Sequence, residues 1–461
     1  MEKTLAVKWK TDWLKRATFV LLLAFVFVAF GNWGSQAQRQ LNSEEAKLNP
    51  LQVRLGERLF HEERFITAKG DLTTSCAICH LTTQDPQGRR AFTDFFNRSW
   101  VPFRTEDPRR TEIRNSPTLL DVALMPRLHL DGEFKSLEEL VAGTFSGRPM
   151  GWLPGEEEKA FDQVQSVLLA DKATEGSASY RDQFKAAFDV DLEKLSRDQI
   201  IGLVSKAVAN FMRTLRSKQD SPYDRFVKLN GLEAAPAGGE SAKAFGERTL
   251  AKLTELETKK ALKFGNGFDQ TALEGLKIFL RTEGSASVGN CVACHTPPLF
   301  TDNSFHNLGV SQLEFDKLNG EGKFAALDIP DAATAKRPSP KFREMVERGR
   351  YGVADLGHWN FVDLKTSPQR RSGESDDQLL RRMIGAFKTP TLRHLAFTDP
   401  YLHSGDCGSL EGALTEIIRL SELARAGKIR EADDELPKIR LKESDVASLL
   451  AFLATLNEEL K

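Results

Sequence analysis

Apolar positions recur at helical spacing in two widely separated stretches. In the first, Ile200, Ile201, Val204, Ala207, Val208 and Phe211 share one face, and Ser196-Arg197-Asp198-Gln199 ahead of them has the form of a capping box. In the second, Val446, Leu449, Leu450, Leu453 and Leu456 form a similar stripe. Both stripes are read as core-facing. Shorter helices are predicted over Leu55-Gly56-Glu57-Arg58-Leu59-Phe60 and Glu274-Gly275-Leu276-Lys277-Ile278-Phe279. Strand-like alternation is scarce, so the fold class is mostly α with long irregular loops. Residues 226–268 are rich in Ala, Gly, Glu and Lys, with 234–239 read as a loop and 240–263 as a surface helix. That segment is read as a linker between two halves.

The first residues have a different pattern. Lys3, Lys8, Lys10, Lys15 and Arg16 precede an apolar run over 17–30, after which the chain turns polar. This is the form of a Sec-type export segment, so residues 1–37 are a signal peptide or an N-terminal membrane anchor. Either outcome puts the body in the periplasm or on the outer face of the cytoplasmic membrane. A length of 461 residues, 28% charged and 40% hydrophobic, fits a soluble globular protein of two or three domains. The net charge of −1 gives no basic field for nucleic acid, which is excluded as a partner.

Each half carries one Cys-x-x-Cys-His pentapeptide, Cys76-Ala77-Ile78-Cys79-His80 and Cys291-Val292-Ala293-Cys294-His295. Two thiols three residues apart can each form a thioether with one vinyl group of a haem, and the adjacent imidazole can bind its iron. The pentapeptides are therefore read as two covalent haem c sites, with Cys76, Cys79, Cys291 and Cys294 as attachment points and His80 and His295 as proximal iron ligands. A redox Cys-x-x-Cys pair or a zinc site is the rival reading, but neither explains a histidine directly after the second cysteine in both copies. The surroundings repeat too. Ala91-Phe92-Thr93-Asp94 answers Leu299-Phe300-Thr301-Asp302, and residues 117–141 align without a gap on 390–414. The organisation predicted is two tandem cytochrome c-like domains, 38–225 and 269–461, each wrapping one haem.

The chain resembles the bacterial di-haem cytochrome c peroxidase family, which includes the methylamine-utilisation type of di-haem oxidase. Carriers of the resemblance include Asn115-x-Pro117-Thr118-Leu119, Asp131-Gly132 and Ser221-Pro222-Tyr223-Asp224-Arg225. Others are Phe305-His306-Asn307-Leu308-Gly309, Phe387-Lys388-Thr389-Pro390-Thr391-Leu392-Arg393 and Pro400-Tyr401-Leu402-His403-Ser404-Gly405. The resemblance implies reduction of hydrogen peroxide, a small redox protein of cytochrome c or cupredoxin type as electron donor, and a calcium ion between the domains. It implies a peroxide-reacting N-terminal haem and a C-terminal haem that relays electrons. A non-peroxidatic electron-transfer or sensing cytochrome and a di-haem oxidase that modifies a protein partner are the alternatives, and a homodimer stays open.

Several positions depart from the family pattern. No histidine occurs between His80 and His129, where classical members have a removable distal one. The family's inter-haem Trp falls at Leu130, its distal Gln at Leu140 and its distal Glu at Pro149 or Met150. Acid–base help would be lost with these residues unless another group supplies it. The second axial ligand of the C-terminal haem falls at Ile417, which cannot bind iron. Met150, His129, Met383 and His403 are the candidate sixth ligands, with His394 and His306 as further ones, each weighed against ordinary packing. Cys407 is read as a small buried hydrophobe or a thiol near the haem, Trp359 as packing or an electron stepping stone, and His61 and His358 as surface or supporting histidines. Arg109, Arg110 and Arg114 are a solvated cluster or propionate partners.

Overall fold

The computed structural model describes residues 48–66, 75–80, 114–342 and 354–458. The export segment, Ala91-Phe92-Thr93-Asp94, Arg109 and Arg110 lie outside the described residues. The leading helix of the first half, Pro50–Phe60, is capped by Asn49, whose side chain accepts from the Leu51 amide, and has proline at its first turn, where a missing N–H costs nothing. It buries Leu55, Gly56, Leu59 and Phe60 against the closing helix Arg197–Arg213. The capping box at Ser196 and Gln199 is formed, and every residue of the predicted stripe is buried. One glycine allows the close approach: a Cβ on Gly56 would stand 1.9 Å from the Ala207 carbonyl oxygen.

The second half repeats the device. Its leading helix Gln270–Leu280 lies against the closing helix Val446–Ala454, and a Cβ on Gly275 would stand 1.9 Å from the Ser448 carbonyl oxygen. Val446, Leu449, Leu453 and Leu456 are buried as expected, Leu450 is half-buried, and Phe452 joins them.

The aligned segments also fold alike. Asp121 and His394 both take left-handed φ, 58° and 62°, before the short 3-10 turns Val122–Leu124 and Leu395–Phe397. Leu128 bridges Phe134, and Tyr401 bridges Cys407. Inside these two loops His129 and Leu402 are left-handed, and Gly132 and Gly405 have positive φ. Each segment then enters a helix capped by a serine: Leu137–Phe145 after Ser136 and Leu410–Arg425 after Ser409. The amides of Asp121 and His394 reach equivalent places, the carbonyls of Leu215 and Leu456 just beyond the closing helices.

The chain is mostly helical. Among the described residues the only sheet is the antiparallel pair Phe305–His306 with Phe387–Lys388, and no helix is long and apolar enough to cross a membrane. Residues 226–268 differ from the linker expected. Phe226, Phe245, Leu253 and Phe268 are buried in the same cluster as Leu273, Phe279 and Phe452, with Phe226 stacked on Phe268 at 3.9 Å. Helix Ala242–Thr258 turns only a narrow apolar face inward, and its Lys and Glu content belongs to the solvated side.

The halves meet through charge and main chain. Arg114 bonds Asp131 of the first half and Asp355 of the second. The Lys388 amide donates to the Leu130 carbonyl at 2.8 Å, and the Asn115 amide donates to the His403 carbonyl at 2.8 Å.

Candidate functional site

One cavity of about 740 Å³ is lined by both pentapeptides, through Cys76, Cys79 and His80 and through Cys291, Cys294 and His295. Each pentapeptide makes a tight turn closed on its first cysteine: the His80 amide donates to the Cys76 carbonyl at 2.8 Å and the His295 amide to the Cys291 carbonyl at 2.7 Å. The turn puts both thiols and the imidazole at one place on the cavity wall. Burial pushes the Cys76 and Cys291 thiols up to about 12. Among the described residues, His129, Asp131 and Glu133 form the only three-ligand group within 4.8 Å, and no cysteine belongs to it.

The histidines of both pentapeptides are shifted toward the neutral form. Burial, and next the charge of His129, pushes His80 down to about 4 while the Pro117 carbonyl opposes; its Nδ1 is buried without a hydrogen-bond partner. Burial also lowers His295, opposed by the Phe300 and Pro390 carbonyls, and its Nδ1 lies 2.9 Å from the Phe300 oxygen. Pro117 and Pro390 are aligned positions of the repeat, so each copy sets a proline carbonyl beside its histidine. A half-buried imidazole beside two thiols on one turn, facing an apolar cavity, fits a covalently attached haem.

The rest of the cavity lining differs between the copies. In the first, the apolar positions Leu130, Leu140 and Met150 line the cavity together with a polar pair, His129 and Glu133. His129 Nδ1 lies 3.1 Å from Glu133 Oε2, and its ring meets Phe134 edge-on at 4.8 Å. In the second, Leu410, Ala413, Leu414 and Ile417 project from one face of helix Leu410–Arg425 at spacings of three, four and seven, joined by Leu308 and Val310.

The candidate ligands are placed unequally. Met150 lines the cavity but is only 2% exposed and packs in the first apolar cluster. His403 lines the cavity with its ring stacked on Phe387 at 3.5 Å and its Nε2 3.2 Å from the Ser311 hydroxyl. His306 lines it with both ring nitrogens taken, by Asp433 at 2.8 Å and Asp302 at 2.9 Å, which outweigh burial and raise it far above its ordinary value. Met383 and His394 are fully buried and do not line the cavity: Met383 packs beside Trp359 and Ile384, and burial pushes His394 down to about 4.

The smaller expectations resolve similarly. Trp359 is fully buried away from the cavity, edge-on to Phe342 at 5.5 Å. Cys407 is half-buried and its thiol is raised by burial. His61 is exposed, as expected, with Nδ1 2.8 Å from the Glu57 carbonyl. His358 is no surface residue: its ring stacks on Phe305 at 3.6 Å, its Nδ1 lies 2.6 Å from the Asp131 carbonyl, and burial pushes it down to about 4. Arg114 is not solvated either, since both its carboxylate partners are buried with it. Two cavity residues went unnoticed in the sequence. Glu133 stands four residues after His129, and Lys388 is buried with its Nζ donating to the Arg127 carbonyl at 2.9 Å. Burial pushes Lys388 down to about 8, with Asp131 opposing.

Residues 50–231 match the family model for di-haem cytochrome c peroxidases. Cytochrome-c peroxidase IdrP2 of Denitromonas iodatirespirans is 26% identical over 97% of this chain and 92% of its own length. The methylamine utilization protein MauG of Methylorubrum extorquens is 27% identical over 89% of this chain and 80% of its own. Over these residues and in its relatives the chain resembles the di-haem cytochrome c peroxidase family. In fold it is similar to the diheme peroxidase BthA from Burkholderia thailandensis, with a TM-score of 0.53 at 17% identity over 89% of this chain and 86% of that one. The resemblance to a di-haem family implies two haem c groups. The calcium expected between the domains is not supported.

Proposed function

We propose that the chain is a periplasmic di-haem c oxidoreductase that reduces hydrogen peroxide with electrons relayed between its two haems, one held by each tandem domain. The overall change is H₂O₂ + 2 H⁺ + 2 e⁻ → 2 H₂O, with the electrons coming singly from a small redox protein of cytochrome c or cupredoxin type. The observation that carries the reading is the single cavity reaching both Cys-x-x-Cys-His turns, with Leu130, Phe387, Lys388 and His403 also on its wall. Bound at those turns, the haems supply the redox change. The protein's part is to hold them on neutral imidazoles, to exclude water with apolar walls and to place donors and acceptors around them. Names of relatives as cytochrome-c peroxidases support the reading.

A second reading, a di-haem electron-transfer or sensing cytochrome, is favoured by Leu130, Leu140 and Met150 on the wall where the family pattern has Trp, Gln and Glu. The likeness to MauG keeps a protein-modifying oxidase as a third. Half-reduced holoprotein mixed with peroxide separates the first two. Rapid, saturable haem reoxidation with donor turnover is expected; slow reaction that rises linearly with peroxide would replace the peroxidase with the cytochrome.

A further inference from the structure

The repeat makes the two cavity walls directly comparable. His129 and Leu402 are equivalent positions, both left-handed, with φ of 63° and 68°, each inside a loop closed by an isolated bridge and a positive-φ glycine. A non-glycine residue in that region is uncommon, and the surrounding hydrogen bonds must hold it there. The backbone therefore fixes where each side chain leaves the loop. In the second copy the histidine is displaced by one residue, to His403, and is spent on Phe387 and Ser311. In the first copy the imidazole itself occupies the left-handed position and lines the same cavity as His80.

Resting on the di-haem reading above, we infer that His129, oriented by Glu133, is the second axial ligand of the N-terminal haem, opposite His80. The Glu133 carboxylate lies on Nδ1, which leaves Nε2 as the coordinating atom. A carboxylate on the far nitrogen of a metal-bound histidine fixes its tautomer and raises its basicity. Met150, the rival, is held in the apolar cluster. An N-terminal haem closed by two histidines is suited to electron transfer, and small ligands would then be taken at the C-terminal haem, under the apolar face of Leu410, Ala413, Leu414 and Ile417. Glu133 is a positioning residue in this arrangement.

The test uses full-length holoprotein. His129→Ala is expected to convert one haem from low-spin to high-spin in the ferric optical and paramagnetic resonance spectra, and to add one carbon monoxide site per chain to those of the reduced wild type. His129→Met keeps a ligand in place and is expected to stay low-spin with a raised reduction potential. Glu133→Gln stays low-spin but lets imidazole or carbon monoxide displace His129 roughly 10–100-fold more readily, with Glu133→Asp restoring the hold. Met150→Leu is expected to leave the spectra unchanged. Unchanged spin state and carbon monoxide stoichiometry in His129→Ala, or a new high-spin haem in Met150→Leu, would overturn the assignment. Peroxide turnover on the same preparations is read separately. Changed spectra without turnover retain the ligand and remove the peroxidase, and turnover with unresponsive spectra does the reverse.

Discussion

At the scale of single residues, partnership decides what each histidine can do. His306 looked from sequence like a ligand candidate, yet it joins the carboxylates of Asp302 and Asp433 across the second half. Desolvation opposes its charge, but the two carboxylates outweigh it and raise it well above its ordinary 6.5. Its contribution to stability is therefore complete below about pH 6.5 and declines as pH rises beyond that toward the folded value. Asp433 has the opposite sign: burial would raise it, His306 outweighs burial and lowers it from 3.8, and that contribution is lost as pH falls below about 3.8. Stability from this group should peak between those limits. His306→Gln should cost roughly 1–3 kcal/mol in that window, since a half-buried pair lies between surface and core values. Urea titrations at pH 5 and pH 9 check this: the gap between variant and wild type should shrink at the higher pH, and an equal gap at both refutes the sign.

At the scale of elements, the paired helices show what was legible in the sequence and why. The closing-helix stripes could be read because burial of one face imposes a 3.6-residue period, and the capping box at Ser196 because its two hydrogen bonds need a fixed spacing. Gly56 and Gly275 stood in the matched segments, but their role could not be read, because the atom each avoids belongs to a helix far along the chain. Gly56→Ala and Gly275→Ala should each destabilise by roughly 1–3 kcal/mol, outweighing alanine's better helix propensity, because a Cβ at 1.9 Å from a carbonyl forces the helices apart. Thermal melts of both variants should show similar losses. Melting unchanged in one and lowered in the other would mean that the two crossings are not equivalent. The same limit hid Phe226 and Phe245 within a segment whose composition is that of a linker: a 17-residue helix with four buried residues leaves most of its sequence polar. The His129 to Glu133 bond lies within four residues and so was within reach, whereas the Phe387 stacking on His403 depends on how distant loops fold together.

At the scale of the molecule, the cavity belongs to neither half alone, so its shape depends on what holds them in register. Arg114 is the charge at that junction. Its guanidinium bonds the Asp355 carboxylate through two nitrogens, at 2.6 and 2.7 Å, and Asp131 through a third. The Asp131 carbonyl receives His358 and the neighbouring Leu130 carbonyl receives Lys388, both from the second half. Arg114→Leu would leave two buried carboxylates facing each other without a cation, a loss of about 3–5 kcal/mol. The larger effect should be on cooperativity, because bonds of Asp131 and Leu130 across the junction are set by the same anchored segment. Calorimetry of the holoprotein should show the wild type unfolding with the halves coupled and Arg114→Leu unfolding in separated steps. Adding Asp355→Asn, which removes one of the stranded charges, should recover part of the lost stability without restoring the coupling. A single transition at lower temperature in Arg114→Leu would mean instead that the apolar contacts and main-chain bonds suffice to hold the two halves together, with Arg114 contributing only charge balance.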